Sequence, residues 1–244
     1  MSATAAHVLP IERAPGLAPF VAGSLWTCWR PLRFYGVELG TRMTVCRLGD
    51  GSLWVHSPVS PEAQLLAELR ALGRVEHVVA PNKLHHLYFA AFCGEFPEAL
   101  RYASPDLPAR RPELRFDVVL GDEARPGWAG DLDQCAVRGR FYLDEVVFHH
   151  RASGTLILTD LCEEGSIEWP LFSRLAARAA GIYERHGPPR DIKWILRRDR
   201  PALRRAVERI LSWDFDRMIV SHGRLVESGA RDLFARAYAF ALRG

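Results

Sequence analysis

The feature that most constrains the fold is a set of short, almost wholly apolar runs that each end in a side chain able to bind a metal. VEHVVA (75–80) runs into PNKLHH (81–86), which carries His85 and His86. GTLILTDL (154–161) ends at Asp160, and FDRMIVSHG (215–223) ends at His222. Apolar runs of this length read as strands buried on both faces, so the chain needs layers on each side of a sheet. Sheets covered by helices usually keep their ligands outside the carboxyl ends of the strands. A lone histidine at a strand end more often donates to a backbone carbonyl, but three such ends in one chain point to a shared site. Imidazole and carboxylate together suit Zn²⁺, Fe²⁺ or Mn²⁺ and metal-assisted hydrolysis.

The rest of the chain supplies the covering elements. Two β-type runs in 41–60 flank Gly49-Asp50-Gly51, a hairpin signal. PEAQLLAELRALG (61–73) predicts a helix with Ser60 as N-cap, Pro61 at its first position and Gly73 past its end. The section 97–140 reads as loops around short strands such as RFDVVL (115–120), followed by strands over 141–150 and 154–161 and helices over about 169–185 and 199–212. Residues 1–20, rich in Ala and Pro, read as an extended arm, leaving 21–244 as a single α/β domain. With 244 residues, 48% of them hydrophobic, such a domain can bury its core unaided. No short-period repeat or low-complexity segment interrupts it.

Several function classes lose support. The net charge of +3 gives no argument for nucleic acid, and the basic stretch 190–209 reads as a salt-laced surface helix. Cys28, Cys46, Cys93, Cys135 and Cys162 are dispersed and odd in number, which disfavours a disulfide framework or a cysteine zinc knuckle. No signal-type or membrane-spanning apolar run is present, so the expectation is a reduced, cytoplasmic protein acting on a small-molecule substrate, without membrane or nucleic-acid partners. There is no P-loop, G-x-G-x-x-G or G-x-S-x-G motif.

The order of these elements resembles the metallo-β-lactamase fold from about residue 36 to 223: a hairpin ending LWVHSP, helix, strand, histidine loop, TLILTDL, then MIVSHG. The set PNKLHH, VVFHHR, LILTDL and WDFDRMIVSHG is similar to a branch of that superfamily described as a domain of unknown function. The resemblance implies a four-layer αββα sandwich (α/β, α+β class). It also implies a divalent metal, Zn or Fe, at the strand ends, with Asp160 and His222 matching the TGDL-like and GHG positions.

Departures from the superfamily pattern concentrate in the first loop. Its H-x-H-x-D-H motif is replaced by PNKLHH. If the final histidine of the motif falls on His86, its Asp falls on His85 and its second His on Lys83; if Pro81 precedes the motif, His86 takes the place of the Asp. Asn82 and Lys83 therefore stand where ligands would be expected, although an exposed loop lysine is the commoner reading of Lys83 and contact with an anionic substrate the other. His56 replaces the strand-end acid of an LIDTG-like segment, and the later histidine would fall near Phe141, with His149 or His150 as substitutes. Alternation in a strand lets only one of those two face a site. So few ligands favour a mononuclear or rearranged centre over a standard dinuclear one, with a metal-free binding protein as the alternative from another class and an iron-dependent, oxygen- or redox-active protein as a third.

Overall fold

The computed structural model describes residues 6–139 and 143–243. Its first half contains β1 (His7–Leu9), β2 (Ala18–Val21), β3 (Leu25–Arg30), a small hairpin of β4 (Arg33–Phe34) and β5 (Val37–Glu38), β6 (Thr41–Arg47), β7 (Leu53–His56), α1 (Ala63–Leu72), β8 (Val75–Ala80), α2 (Phe89–Glu95), β9 (Leu100–Ala103), α3 (Leu107–Arg110) and β10 (Val118–Val119). The second half contains β11 (Leu132–Arg138), β12 (Asp144–His150), β13 (Thr155–Ile157), α4 (Leu171–Ala180), α5 (Arg190–Leu196), α6 (Arg200–Leu211), β14 (Arg217–Ile219), β15 (Leu225–Ser228), α7 (Ala230–Ala237) and α8 (Ala239–Leu242).

Two sheets result. One runs in the order β10-β9-β8-β7-β6-β3-β2 and the other β1-β15-β14-β13-β12-β11. Strand alternation explains how each sheet buries both faces. In β7, Leu53 and Val55 join Leu65 and Leu69 of α1 and Phe89 and Phe92 of α2 in a core on the outer face of the first sheet. Trp54, between them, points the other way and meets Phe148 of β12 at 4.7 Å, within a core that also holds Val146, Ile157 and Ile219. Val147, the neighbour of Phe148, turns outward to Leu203, Val207 and Ile210 of α6 and Phe234 of α7. Helix, sheet, sheet, helix is therefore the observed order, the αββα sandwich that the strand pattern and the resemblance led one to expect.

Local differences have identifiable causes. The helix expected over 61–73 begins two residues later, at Ala63. Ser60 and Pro61 stay outside it, and Glu62 occupies the cap in an extended conformation without a side-chain capping bond. Its carboxylate instead accepts from Arg30 Nε at 3.1 Å. Within 97–140 the residues 132–138 form a full strand, β11, paired along its length with β12. The basic stretch divides into α5 and α6, with Asp199 capping the second through Ala202 N at 3.1 Å. Within the lead-in, β1 pairs with β15 of one sheet and β2 with β3 of the other, so these residues are tied to both layers. The five cysteines are free and buried. No helix among the described residues is long and apolar enough to cross a membrane.

Candidate metal centre

β8 runs parallel to β7 and β9 in one sheet, β13 runs parallel to β14 in the other, and the segments that follow their carboxyl ends meet at one site. There His85, Asp160 and His222 offer one ligand atom each within 4.8 Å of one another. His85 Nε2 lies 3.4 Å and His222 Nε2 3.3 Å from the same oxygen, Asp160 Oδ1. Every one of the three side chains is only 5–6% exposed.

The remaining polar atoms of this trio are held from behind. His222 Nδ1 donates to the Gly40 carbonyl at 2.7 Å, which fixes the tautomer and leaves Nε2 facing Asp160. His85 Nδ1 pairs with Ser57 Oγ at 2.7 Å. Asp160 Oδ2 accepts from Asn82 Nδ2 at 2.5 Å. Ligating histidines characteristically have the second ring nitrogen tied in this way. The donor set, two imidazoles and one carboxylate aimed at a common point with their outer atoms engaged, fits a divalent zinc or iron ion.

Two further groups frame the trio. Glu145, fully buried on β12, accepts the backbone N–H groups of Thr159 (2.6 Å), Asp160 (2.9 Å) and Leu161 (3.1 Å), so it fixes the turn that presents Asp160. Arg42, buried on β6, crosses to the other sheet and donates to the carbonyls of Val220 and Gly223 (3.0 Å), on either side of His222. Neither was flagged by the sequence pattern. The available signals were a carboxylate in an otherwise apolar strand, on the same face as Val147, and a guanidinium on the face of β6 that meets the other sheet.

Burial and charge set the protonation of the group. Burial alone would raise the Asp160 carboxyl, but the His85 charge and the hydrogen bonds from His222 and His85 outweigh it and hold it well below the usual carboxylate range. Burial disfavours a charged His222, yet the bond to Asp160 and the charges of Glu163 and Asp160 lift it to about 9. Burial, reinforced by the Asp160 charge, pushes the Glu145 carboxyl up to about 7. Burial pushes the Glu163 carboxyl up to about 8, against the opposing influence of His222.

The other candidates go elsewhere. His86 is turned away from the trio and meets Arg111 Nη1 through Nδ1 at 2.8 Å, so of the adjacent pair only His85 joins the group. Lys83 is not an exposed loop lysine: it is 5% exposed and its Nζ lies 2.6 Å from Asp144. Asn82, completely buried, is the hub of the loop rather than a vacant ligand position. His149 and His150 sit at the far end of β12 from Glu145, roughly 13–17 Å along the strand, where His149 bonds Asp133 (3.1 Å) and His150 bonds Ser153 (2.7 Å). Strand direction, not alternation, excludes both. His56 is buried beside the site, stacked on Trp54 at 5.4 Å. Neither of its nitrogens has a hydrogen-bond partner among the described residues. Phe141 lies outside the described residues.

The chain is similar to known proteins in two ways. A family model described as Domain of unknown function (DUF4336) matches residues 22–187. Among solved structures, a metallo-beta-lactamase from Pontibacter korlensis is similar with a TM-score of 0.63 at 12% identity, over 93% of this chain and 99% of that one. A metallo-beta-lactamase from Hirschia baltica gives 0.59 at 13%, over 97% and 99%. A histidine variant of a flavo di-iron protein from Thermotoga maritima gives 0.62 at 12%, over 97% of this chain but 63% of that one. These likenesses give the fold, a metallo-β-lactamase fold in one domain. No curated protein matches the chain.

Proposed function

The chain belongs to the family described as Domain of unknown function (DUF4336), and from that premise we propose that it is a metal-dependent, hydrolase-like protein with a mononuclear centre held by His85, Asp160 and His222. The observation that carries this reading is the convergence of two imidazole Nε2 atoms on one carboxylate oxygen, with each outer atom already bonded to the protein. Three protein ligands leave coordination open, which distinguishes catalytic from closed structural sites. When bound, a divalent ion supplies Lewis-acid polarisation of a substrate oxygen and acidifies water.

The chain's own contributions are positional and electrostatic. Asn82 and Glu145 hold Asp160, Gly40 and Arg42 hold His222, and Ser57 holds His85. A cavity of about 480 Å³ borders Gly40, behind His222, and its lining includes Trp29 and Trp169 with Arg13, Arg33, Glu38 and Glu168; a small-molecule substrate is its proposed occupant. That size is within the range of small-molecule sites.

Metal analysis of protein purified without chelators tests this reading. A single ion per chain, lost in Asp160→Ala and in His222→Ala while both variants keep the wild-type circular dichroism, supports it. A chain that binds none of zinc, iron or manganese when each is offered in turn overturns it and leaves the metal-free binding protein. A second reading, an iron-dependent redox or oxygen-active protein, is favoured by one observation: two histidines and one carboxylate form the donor set common to mononuclear non-haem iron sites. Oxygen consumption by the iron-loaded chain with a reductant supports that reading; catalytically silent iron rejects it.

A further inference from the structure

α4 is mounted with its larger apolar side chains facing out. Ser173 and Ala177 are its buried residues, while Leu171 (63% exposed), Phe172 (61%) and Leu175 (53%) face solvent. The packing beneath explains the orientation. Ser173 Oγ accepts from Glu38 N at 2.8 Å, and Ala177 lies so close to Gly165 that a side chain added there would meet its Cβ at 2.2 Å. Only small residues fit on that face, so the leucines and the phenylalanine are left outside.

The β4–β5 hairpin extends the same surface. At its tip Phe34 is 48% and Tyr35 91% exposed, with ring centroids 4.5 Å apart. Tyr35 sits in the left-handed region at φ 45°, a conformation a bulky residue adopts at a cost. Gly36 brings the hairpin against α4, since a Cβ there would lie 3.7 Å from the Phe172 ring.

We propose that this surface, the hairpin tip and the outer face of α4, is a dimer interface that takes a second copy of this chain. Scaled by ordinary side-chain areas, its five large residues expose roughly 600 Å² per copy. That lies at the top of the range of about 300–600 Å² for the apolar patch on a typical monomer, and with a polar rim added it approaches the about 800 Å² that each partner gives a stable interface. The exposed tyrosine and phenylalanines are the residue types that anchor such interfaces. The rim carries both signs, Arg33 and Arg178 against Glu38 and Glu184, all exposed. Two copies related by a two-fold axis meet such a rim without net repulsion, whereas the carboxylates disfavour an anionic bilayer.

Sedimentation velocity on the full chain across low to high micromolar concentrations, with Phe172→Glu and Tyr35→Glu beside it, tests the interface. A two-chain species in the wild type is expected. Each variant should raise the dissociation constant by about 30-fold or more while keeping the wild-type circular dichroism melt and metal content. A wild type that stays at one-chain mass throughout overturns the proposal, and so does a two-chain species untouched by both variants. Flotation of a one-chain wild type with phosphatidylglycerol vesicles would reassign the surface to lipid. Because metal content is read separately, loss of the dimer and loss of the metal centre are distinguishable outcomes.

Discussion

Asn82 and Asp160, seventy-eight positions apart, are joined by a 2.5 Å hydrogen bond inside a wholly buried network. The same Asn82 amide nitrogen reaches Thr159 Oγ1 at 2.8 Å and Glu145 Oε2 at 3.2 Å. Its oxygen accepts the backbone N–H groups of Leu84 and His85, both at 2.8 Å. One side chain thus fixes the loop carrying one ligand and the turn carrying another. An asparagine serves here because it is donor and acceptor at once.

Asn82→Ala removes both functions, taking the donor from Asp160 Oδ2 and one of the donors from Glu145. We expect a loss of about 2–4 kcal/mol in folding stability and a 10- to 100-fold loss in metal affinity. Asn82→Asp keeps the acceptor but adds a negative charge beside Asp160 and Glu145, so it should be the worse of the two at neutral pH. Denaturant titration with a parallel competition for a coloured metal chelator reads both quantities. Unchanged affinity in Asn82→Ala would remove the asparagine from the support of the centre.

Arg42 supports the other histidine from across the sandwich. Its guanidinium is fully buried, burial lowers it to about 10, and its partners include the carbonyls of Val220 and Gly223. Lysine offers a single compact charge in place of a rigid fork. Arg42→Lys is therefore expected to cost about 1–3 kcal/mol and to weaken metal binding through His222, while leaving His85 and Asp160 in place. A variant with wild-type affinity at reduced stability would limit Arg42 to holding the sheets together.

These two residues show what the sequence made legible and what it did not. The apolar runs ending at His85, Asp160 and His222 were readable because buried strands announce themselves by composition and ligands by residue type. The choice between His85 and His86 was not: it depends on a turn in which Asn82 accepts from His85 N, and on Arg111, at a helix terminus twenty-five residues away, donating to the His86 ring. His149 and His150 looked eligible because composition does not state strand direction; antiparallel pairing of β12 with β13 places Glu145, not the histidines, opposite Asp160. Glu145 and Arg42 act through backbone groups of distant segments, which no local pattern encodes.

Gly223 makes a sharper test of the turn after His222. Its φ is +104°, and a Cβ built on it would lie 2.3 Å from the Glu164 carbonyl oxygen. That oxygen belongs to backbone held in place by Glu164 N donating to His222 O at 3.0 Å, so it has little room to yield. Gly223→Ala combines a conformational penalty of about 1 kcal/mol with a backbone clash. A total loss of about 3 kcal/mol or more, with metal binding impaired, is expected. Thermal melts of wild type and variant, each with and without added zinc, would show it; a shift below a few degrees contradicts the packing at this turn.

His56 supplies a prediction in pH. Burial, with the His85 charge adding to it, pushes its pKa down to about 3, so the folded chain keeps it neutral where an unfolded chain, titrating near 6.5, takes up a proton. A depressed folded value means the stability is fully present above about pH 6.5 and is lost progressively as the pH falls from there toward about 3. The slope is about 1.4 kcal/mol per pH unit for this one group. Phenylalanine preserves the aromatic contacts with Trp54 and Phe148 and removes two nitrogens that have no partner among the described residues. His56→Phe should therefore match or exceed wild-type stability at pH 7 by up to about 1 kcal/mol. Its advantage should widen by about 2 kcal/mol on moving from pH 6.5 to pH 5. Measuring the difference between the two proteins cancels the contributions common to both. Denaturant midpoints at several pH values decide the matter: a gap that stays constant with pH means that His56 is not held neutral by the fold, and a loss of metal in the variant would draw His56 into the centre itself.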